Sequence, residues 1–453
     1  MAEEEPVSKS FRPYDPDQMF LMPVSLREWL PPEHLAHFIC DVVDELDLWA
    51  IMSRYEGEER GYPPYHPRMM VKVLLYSYCI GVSSSRKIAR RLQEDIAFRV
   101  LSANNTPDFR TISDFRKDHL EALSGLFVQV LKLCQEAGLV KLGHVSLDGT
   151  KVKANASRHK AMSYGRMKEE EARLEAEVRE LLRKAEEVDE EEDRHYGRDR
   201  RGDELPEELA FREGRLKRIR EAKAALEERA KQEVEEARVK GKGHAGVPDD
   251  RQQYNFTDPE SRIMPAPGGK EFVQAYNAQV AVDSAHQIIV ACEVTDQPTD
   301  KAQAVPMMEQ VAANGGALPL EMSADAGYFS TKAVGGLMGM GVEPFIPPGK
   351  IRHRGSPPAP RGRIPKGLPP IGRMRRKLRT KRGKRRYALR METVEPVFGQ
   401  IKQARGFRQF LLRGLRKVKG EWRLICTGHN LLKLFRAATE GLLPRQTLAL
   451  AHS

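Results

Sequence analysis

The chain has 453 residues, with 75 Lys and Arg against 64 Asp and Glu and a formal net charge of +11. It exceeds one typical domain and can bury a large core. No stretch of about 18 apolar residues could span a membrane, and the acidic start MAEEEPVSKS lacks the apolar centre of a signal peptide. Five cysteines at 40, 79, 134, 292 and 426 show no C-x-x-C spacing, which speaks against zinc and suits a reducing compartment. A soluble, intracellular protein is expected.

After a flexible N-terminus (1–16), residues 17–135 read as helical. Arg68–Ile80 is an apolar helix stopped by Gly81. SSSRKIARRLQED opens on serines that can cap a helix; Ile88 and Leu92 share one face, with Arg86, Lys87, Arg90 and Arg91 on others. In NNTPDFRTISDFRKDHLEAL, Thr106 is the expected cap and Pro107 the first helical residue. Two short cationic helices joined by a turn fit a helix-turn-helix module, and equally an ordinary bundle with a charged exterior.

KLGHVSLDGTKVKAN (141–155) reads as a strand and hairpin with Asp148 ending the apolar run. Residues 163–240 place Leu174, Val178, Leu181, Leu182, Leu216, Ile219 and Leu226 at helical spacing among charges, which predicts two antiparallel amphipathic helices. Their charge reads as a solvated face, or as a dimer contact. FVQAYNAQVAVD (272–283) and QIIVACEVT (287–295) form a hairpin. A helix over 301–314, a strand over 320–324 ending at Asp325, a weak helix over 331–340 and a strand over Val342–Ile346 follow. A basic loop (347–385) then leads to C-terminal helices from about 386 to 442, with 443–453 as a tail. From Lys350 to Arg390 there are 17 Lys or Arg and no Asp or Glu. That is an electrostatic footprint for phosphates, and also the composition of a solvated loop; one segment can be both.

With the insertion set aside, periodicity alone supports a mixed α/β fold; by analogy the order is ribonuclease H-like, a mixed sheet flanked by helices with its first three strands antiparallel. An all-helical N-terminal domain precedes it, and a helical hairpin interrupts it. Asp148 and Asp325 then fall at ends of neighbouring strands, and Glu395 on a helix beside the sheet. Such a set of carboxylates suits hard divalent cations.

The blocks FRPYDPDQMFLMPVSLREWLPPEHL, HPRMMVKVLLYSYCIGVSSSRKIARRL, SLDGTKVKANAS, NFTDPESRIM, YNAQVAVD and SADAGYFS occur in this order. The series Tyr387, Arg390, Glu395, Lys402 follows them. Together they resemble DDE transposases of bacterial insertion sequences with an InsH-like N-terminal domain and a Y-R-E-K signature. The resemblance implies that Asp148, Asp325 and Glu395 hold two Mg²⁺ ions, with Mn²⁺ able to substitute. It further implies that Arg390 and Lys402 contact phosphates. The activity implied is cleavage at the element's ends and transfer of the freed 3′-OH to target DNA. The partners implied are double-stranded DNA and, on DNA, a second copy of the chain. Expected DNA contacts also include Tyr387, Arg405, Lys151, Lys153, Arg86, Lys87, Arg90, Arg116 and Lys117. A nuclease without strand transfer, and an inactive DNA-binding descendant, are the alternatives.

Arg390 and Glu395 are separated by four residues, where the best-known signature has three. Three would land on Val394, which cannot bind metal, and Glu392 is ten residues from Lys402 rather than seven. Glu395 sits seven residues before Lys402, close to two helical turns, so the two share a face. Pro396 disfavours the α conformation at Glu395, so a helix start or kink is expected there.

Overall fold

In the computed structural model the described residues are 25–55, 64–157, 160–196, 207–239, 246–266, 271–349, 359–360, 362–363, 365 and 367–442. The expected flexible N-terminus, the C-terminal tail and part of the basic segment lie outside them.

Seven helices open the described chain. α1 (Leu35–Glu45) starts at His34, whose ring accepts from Ala36 N–H. After the short α2 (Trp49–Met52) comes α3 (Pro67–Cys79), with proline in the first turn, where its missing N–H has no helical partner to lose. Met70, Val71, Leu74, Leu75 and Tyr78 of α3 are buried. α4 (Ser85–Glu94), α5 (Ile96–Leu101), α6 (Phe109–Asp118) and α7 (Leu120–Glu136) follow. The start of α6 corrects the expectation of a Thr106 cap. Asp108 accepts from Arg110 N–H and Thr111 N–H at 2.6 and 3.0 Å. A charged acceptor satisfies two orphan donors and sets the first turn there.

The sheet-bearing part comprises β1 (His144–Lys153), β2 (Ala161–Ser163), α8 (Tyr164–Tyr196), α9 (Glu207–Val239), β3 (Gln253–Asn255), β4 (Arg262–Pro265), β5 (Phe272–Asp283) and β6 (Ile289–Thr295). α10 (Ala304–Gly315), β7 (Glu321–Ala324), α11 (Thr331–Gly339) and β8 (Glu343–Phe345) complete the sheet and its first flanking helices. The strand order is β6, β5, β1, β7, β8, with β4 pairing the start of β5. β5 runs antiparallel to β1 and β6, whereas β7 and β8 run parallel to β1 and to each other. This is the ribonuclease H-like arrangement.

β1 was expected to turn near Asp148 and instead runs unbroken to Lys153. Its pairing with β5 extends from Val145↔Asp283 to Lys153↔Ala275, so the backbone stays extended well past Asp148. The excursion between β1 and β5 is the predicted hairpin: Leu174 of α8 packs with Leu216, Ile219 and Leu226 of α9, and β2 pairs β3 near its base.

Among its described residues, the C-terminal part of the basic segment is helical. α12 (Pro370–Arg379) and α13 (Lys381–Gly399) begin inside it, then a π-helical turn (Gln400–Ala404) and α14 (Leu415–Thr439) follow. Buried Met374 and Leu378 dock α12 against Val334 and Phe345, which is why the cationic run can fold. α14 packs against α7, α3 and β6 at once. Its Trp422 donates to the Gln279 carbonyl at 3.1 Å, and the Asn430 amide bonds both Ile289 N–H and C=O at 2.9 Å. One continuous apolar core therefore joins the N-terminal helices to the sheet. Among the described residues, no helix is long and apolar enough to cross a membrane.

The junction of α3 with the chain after the π turn is tight. Gly81 has φ +81°, and a Cβ there would lie 2.4 Å from the Arg405 carbonyl oxygen. Left-handed strain and a backbone clash then add. Gly81→Ala should lose about 2–4 kcal/mol in urea unfolding; a change under about 0.5 kcal/mol would contradict this contact.

Candidate active site

The parallel pairing of β1 with β7 ends at Leu147↔Ala324. The next residue on each strand is Asp148 and Asp325, so the sheet sets these two carboxylates side by side. Asp148 is therefore mid-strand, and what ends there is its neighbour β7. Its Oδ1 accepts from Gly149 N–H at 2.8 Å, while Asp325 Oδ1 accepts from Gly327 N–H at 2.8 Å and caps a short 3₁₀ turn, Ala326–Tyr328.

α13 brings the third acid. Arg390 Nη1 donates to Asp148 Oδ2 at 2.8 Å, and its Nη2 reaches Glu395 Oε1 at 3.1 Å. One guanidinium thus ties the strand acid to the helix acid. Asp148 and Arg390 are 16% exposed in their side chains and Glu395 is 47% exposed. Burial pushes the Asp148 carboxyl up to about 7; Arg390 opposes this, and the negative charges of Asp325 and Asp300 add to it. Among the described residues, no three of His, Cys, Asp or Glu converge as a ready-made metal site.

Pro396 neither starts nor breaks α13, which continues to Gly399. Proline removes the hydrogen bond to the carbonyl four residues back, that of Glu392. Gln287 Nε2 supplies a replacement donor at 2.9 Å. Gln287, in the β5–β6 turn at φ +58°, is itself held by His429 through its carbonyl and by Lys433 through its amide oxygen.

Lys402 lies in the π turn, so the straight-helix relation to Glu395 does not hold through it. Its ammonium donates to Thr150 Oγ1 and to the Lys151 carbonyl at 2.5 and 2.7 Å. Burial, with Lys151 adding, lowers its pKa to about 8. Tyr387 is half-buried and lies beside Arg390, 5.9 Å from ring centre to guanidinium carbon.

The remaining expected contacts divide. Arg86, Lys87, Arg90, Lys117 and Lys153 are exposed, with Arg90 paired to Glu94 and Arg86 over the Phe109 ring. Arg116 and Arg405 are interior instead. Arg116 donates to the Ser83 carbonyl at 2.6 Å and to Ser85 Oγ at 3.2 Å. Arg405 donates to the Ile425 and Tyr78 carbonyls at 3.1 and 3.4 Å. Both spend their planar donors on interior carbonyl and hydroxyl oxygens rather than at the surface.

Sequence reasoning missed Asp300, which lies next to Lys151 and accepts from Asn277 and Gln279. The available signal was a pair of amides two apart, Asn277 and Gln279, on one face of a largely apolar strand; such buried groups need partners.

This ribonuclease H-like sheet sets Asp148, within β1, beside Asp325, just past the end of β7. Two family models match the chain: a transposase domain (DUF772) over residues 24–118, and a transposase DDE domain over residues 371–435. Both are transposase domains, consistent with a DDE transposase of insertion-sequence type. The second match contains Tyr387, Arg390, Glu395 and Lys402, whereas Asp148 and Asp325 lie outside both. No curated protein and no solved structure matched the chain.

Proposed function

We propose that this chain binds the ends of an insertion sequence and catalyses divalent-cation-dependent cleavage and strand transfer with Asp148, Asp325 and Glu395. The observation that carries the reading is the geometry of Arg390. A cation, here a guanidinium, bridges Asp148 to Glu395 beside Asp325. The donors are hard oxygens, and the buried Asp148 takes up a proton readily when no stronger positive charge compensates it. Asp148, Asp325 and Glu395 are thus the residues that would hold Mg²⁺ or Mn²⁺. The bound ions would activate the attacking oxygen and stabilise the leaving one.

The protein's own part is positioning. β1 and β7 fix two acids in register, and α13, kept whole across Pro396 by Gln287, carries the third. Arg390, once released from the acids, is free to meet a phosphate, and Tyr387 lies beside it. Lys151 and Lys402 add positive charge on the β1 side. The exposed Arg86, Lys87, Arg90, Lys117 and Lys153 extend the cationic surface over the helical region and β1. Residues 17–135 would serve end recognition and 141–442 catalysis, in a dimer that pairs two ends. Arg116 and Arg405 would reach DNA only by giving up their interior hydrogen bonds.

The test uses the full chain, Mg²⁺ and labelled duplexes of the element's own ends. Cleavage that frees a 3′-OH, followed by joining of pre-cleaved ends to target DNA, is the expected result. Cleavage without joining would instead favour a nuclease of the same fold, and neither activity would leave only a DNA-binding role.

A further inference from the structure

Asp300 stands outside the three acids, yet it is wired to one of them. Its Oδ1 accepts from Asn277 Nδ2 at 2.6 Å and from Gln279 Nε2 at 2.7 Å. A carboxylate that accepts from both amides dictates how Gln279 is turned: nitrogen toward Asp300, oxygen away. That oxygen is the acceptor of the Tyr328 hydroxyl. Tyr328 is fully buried and closes the 3₁₀ turn that Asp325 caps. Burial and the surrounding acids Asp300, Asp148 and Asp325 hold the Tyr328 hydroxyl well above its ordinary pKa, so it stays a donor.

Space around the relay is equally restricted. A Cβ on Gly149, the residue after Asp148, would lie 2.4 Å from Gln279 Nε2 and 2.8 Å from Asp300 Oδ1. A Cβ on Gly327 would lie 2.9 Å from Asp325 Oδ1 and 3.4 Å from Asp300 Oδ2. Asn277 Oδ1 is buried without a partner and faces the same space beside Gly149.

We propose that Asp300 is a positioning residue: through Gln279 and Tyr328 it fixes the Asp325 turn, and so the placement of Asp325 relative to Asp148. This rests on the reading of Asp148 and Asp325 as cation ligands. The relay needs only an acceptor at Oδ1, which asparagine also supplies, so Asp300→Asn preserves it while Asp300→Ala removes it. Tyr328→Phe breaks the same chain at its other end and leaves Asp300 with its partners.

The experiment is Mn²⁺ titration of the full chain, read by the electron paramagnetic resonance of free Mn²⁺, beside melting curves for each variant. Asp300→Ala and Tyr328→Phe should each weaken Mn²⁺ binding by about tenfold or more, the scale of outer-shell partners. Their combination should be no worse than either alone, as for two members of one chain of contacts. Asp300→Asn should return to within about threefold of the parent. Parent-like binding in Tyr328→Phe, additive losses in the double variant, or failure of Asp300→Asn to rescue would each overturn the proposal. The controls are Asp148→Asn and Asp325→Asn. If both bind Mn²⁺ like the parent, the cation reading itself fails and takes this proposal with it; if they lose binding, only the Asp300 relay is under test.

Discussion

Asp148→Asn, Asp325→Asn and Glu395→Gln should each lower cation-dependent cleavage by roughly 100- to 1,000-fold or more, the scale for removing one group that acts on developing charge. The reason differs by residue. Asp325→Asn loses a charged oxygen alone, whereas Asp148→Asn and Glu395→Gln each also remove a charged partner of Arg390. Stability separates the chemical effect from misfolding. The folded Asp148 has its pKa raised from 3.8 to about 7. Between those values the folded chain holds more protons than the unfolded one, so this group's stabilising contribution falls as pH rises through the window. Above pH 7 the ionised carboxylate opposes folding in the cation-free chain. Asp148→Asn should therefore melt no lower than the parent at pH 8, while its cleavage is lost. Activity surviving in all three variants would remove the proposed chemistry. A collapse of Asp148→Asn stability at pH 8 would remove the electrostatic account.

Arg390→Met should be the most cation-sensitive variant in its stability. It removes the guanidinium 2.8 Å from Asp148 and 3.1 Å from Glu395 and leaves both acids uncompensated. Breaking a mostly buried pair from one side costs about 2–4 kcal/mol here, below the fully buried range because Glu395 is half in solvent. If a divalent ion occupies the position that Arg390 now bridges, it replaces the lost charge. Melting in chelator should thus show a clear drop, and Mn²⁺ should raise the variant's midpoint more than the parent's. Equal Mn²⁺ shifts in the two proteins would show that guanidinium and ion do not share a place.

The sequence made much of this site legible because the strand acids are marked by local pattern. Asp325 follows a short apolar run, and Asp148 interrupts one. The register that sets them side by side needs only the parallel pairing of two such runs. The fold order was equally readable, since hairpin, insertion and helices differ in period and composition. The Arg390 bridge was not readable, because it depends on how far α13 lies from β1. Pro396 misled for a similar reason. The proline rule describes the freed Glu392 carbonyl correctly, but the donor that satisfies it, Gln287, sits in a turn more than a hundred residues away. Arg116 and Arg405 looked like surface cations because charge is visible in a sequence and the carbonyl ends they cover are not. Asp300 was one acid among 64 until Asn277 and Gln279 were seen to point at it.

The position of α14 bears on how the protein comes into being. This helix is near the end of the chain and packs against α3 and α7 from the beginning and β6 from the middle. No earlier segment can take its place against those three surfaces, and its Trp422 and Asn430 complete the backbone of β5 and β6. At roughly 5–20 residues per second, synthesis of the whole chain takes on the order of tens of seconds to over a minute. From the completion of α7 until α14 is made, well over half of that interval, the sides of α3 and α7 that α14 covers wait for it. The nascent protein therefore gains the full core that joins its helices to its sheet only once α14 has left the ribosome.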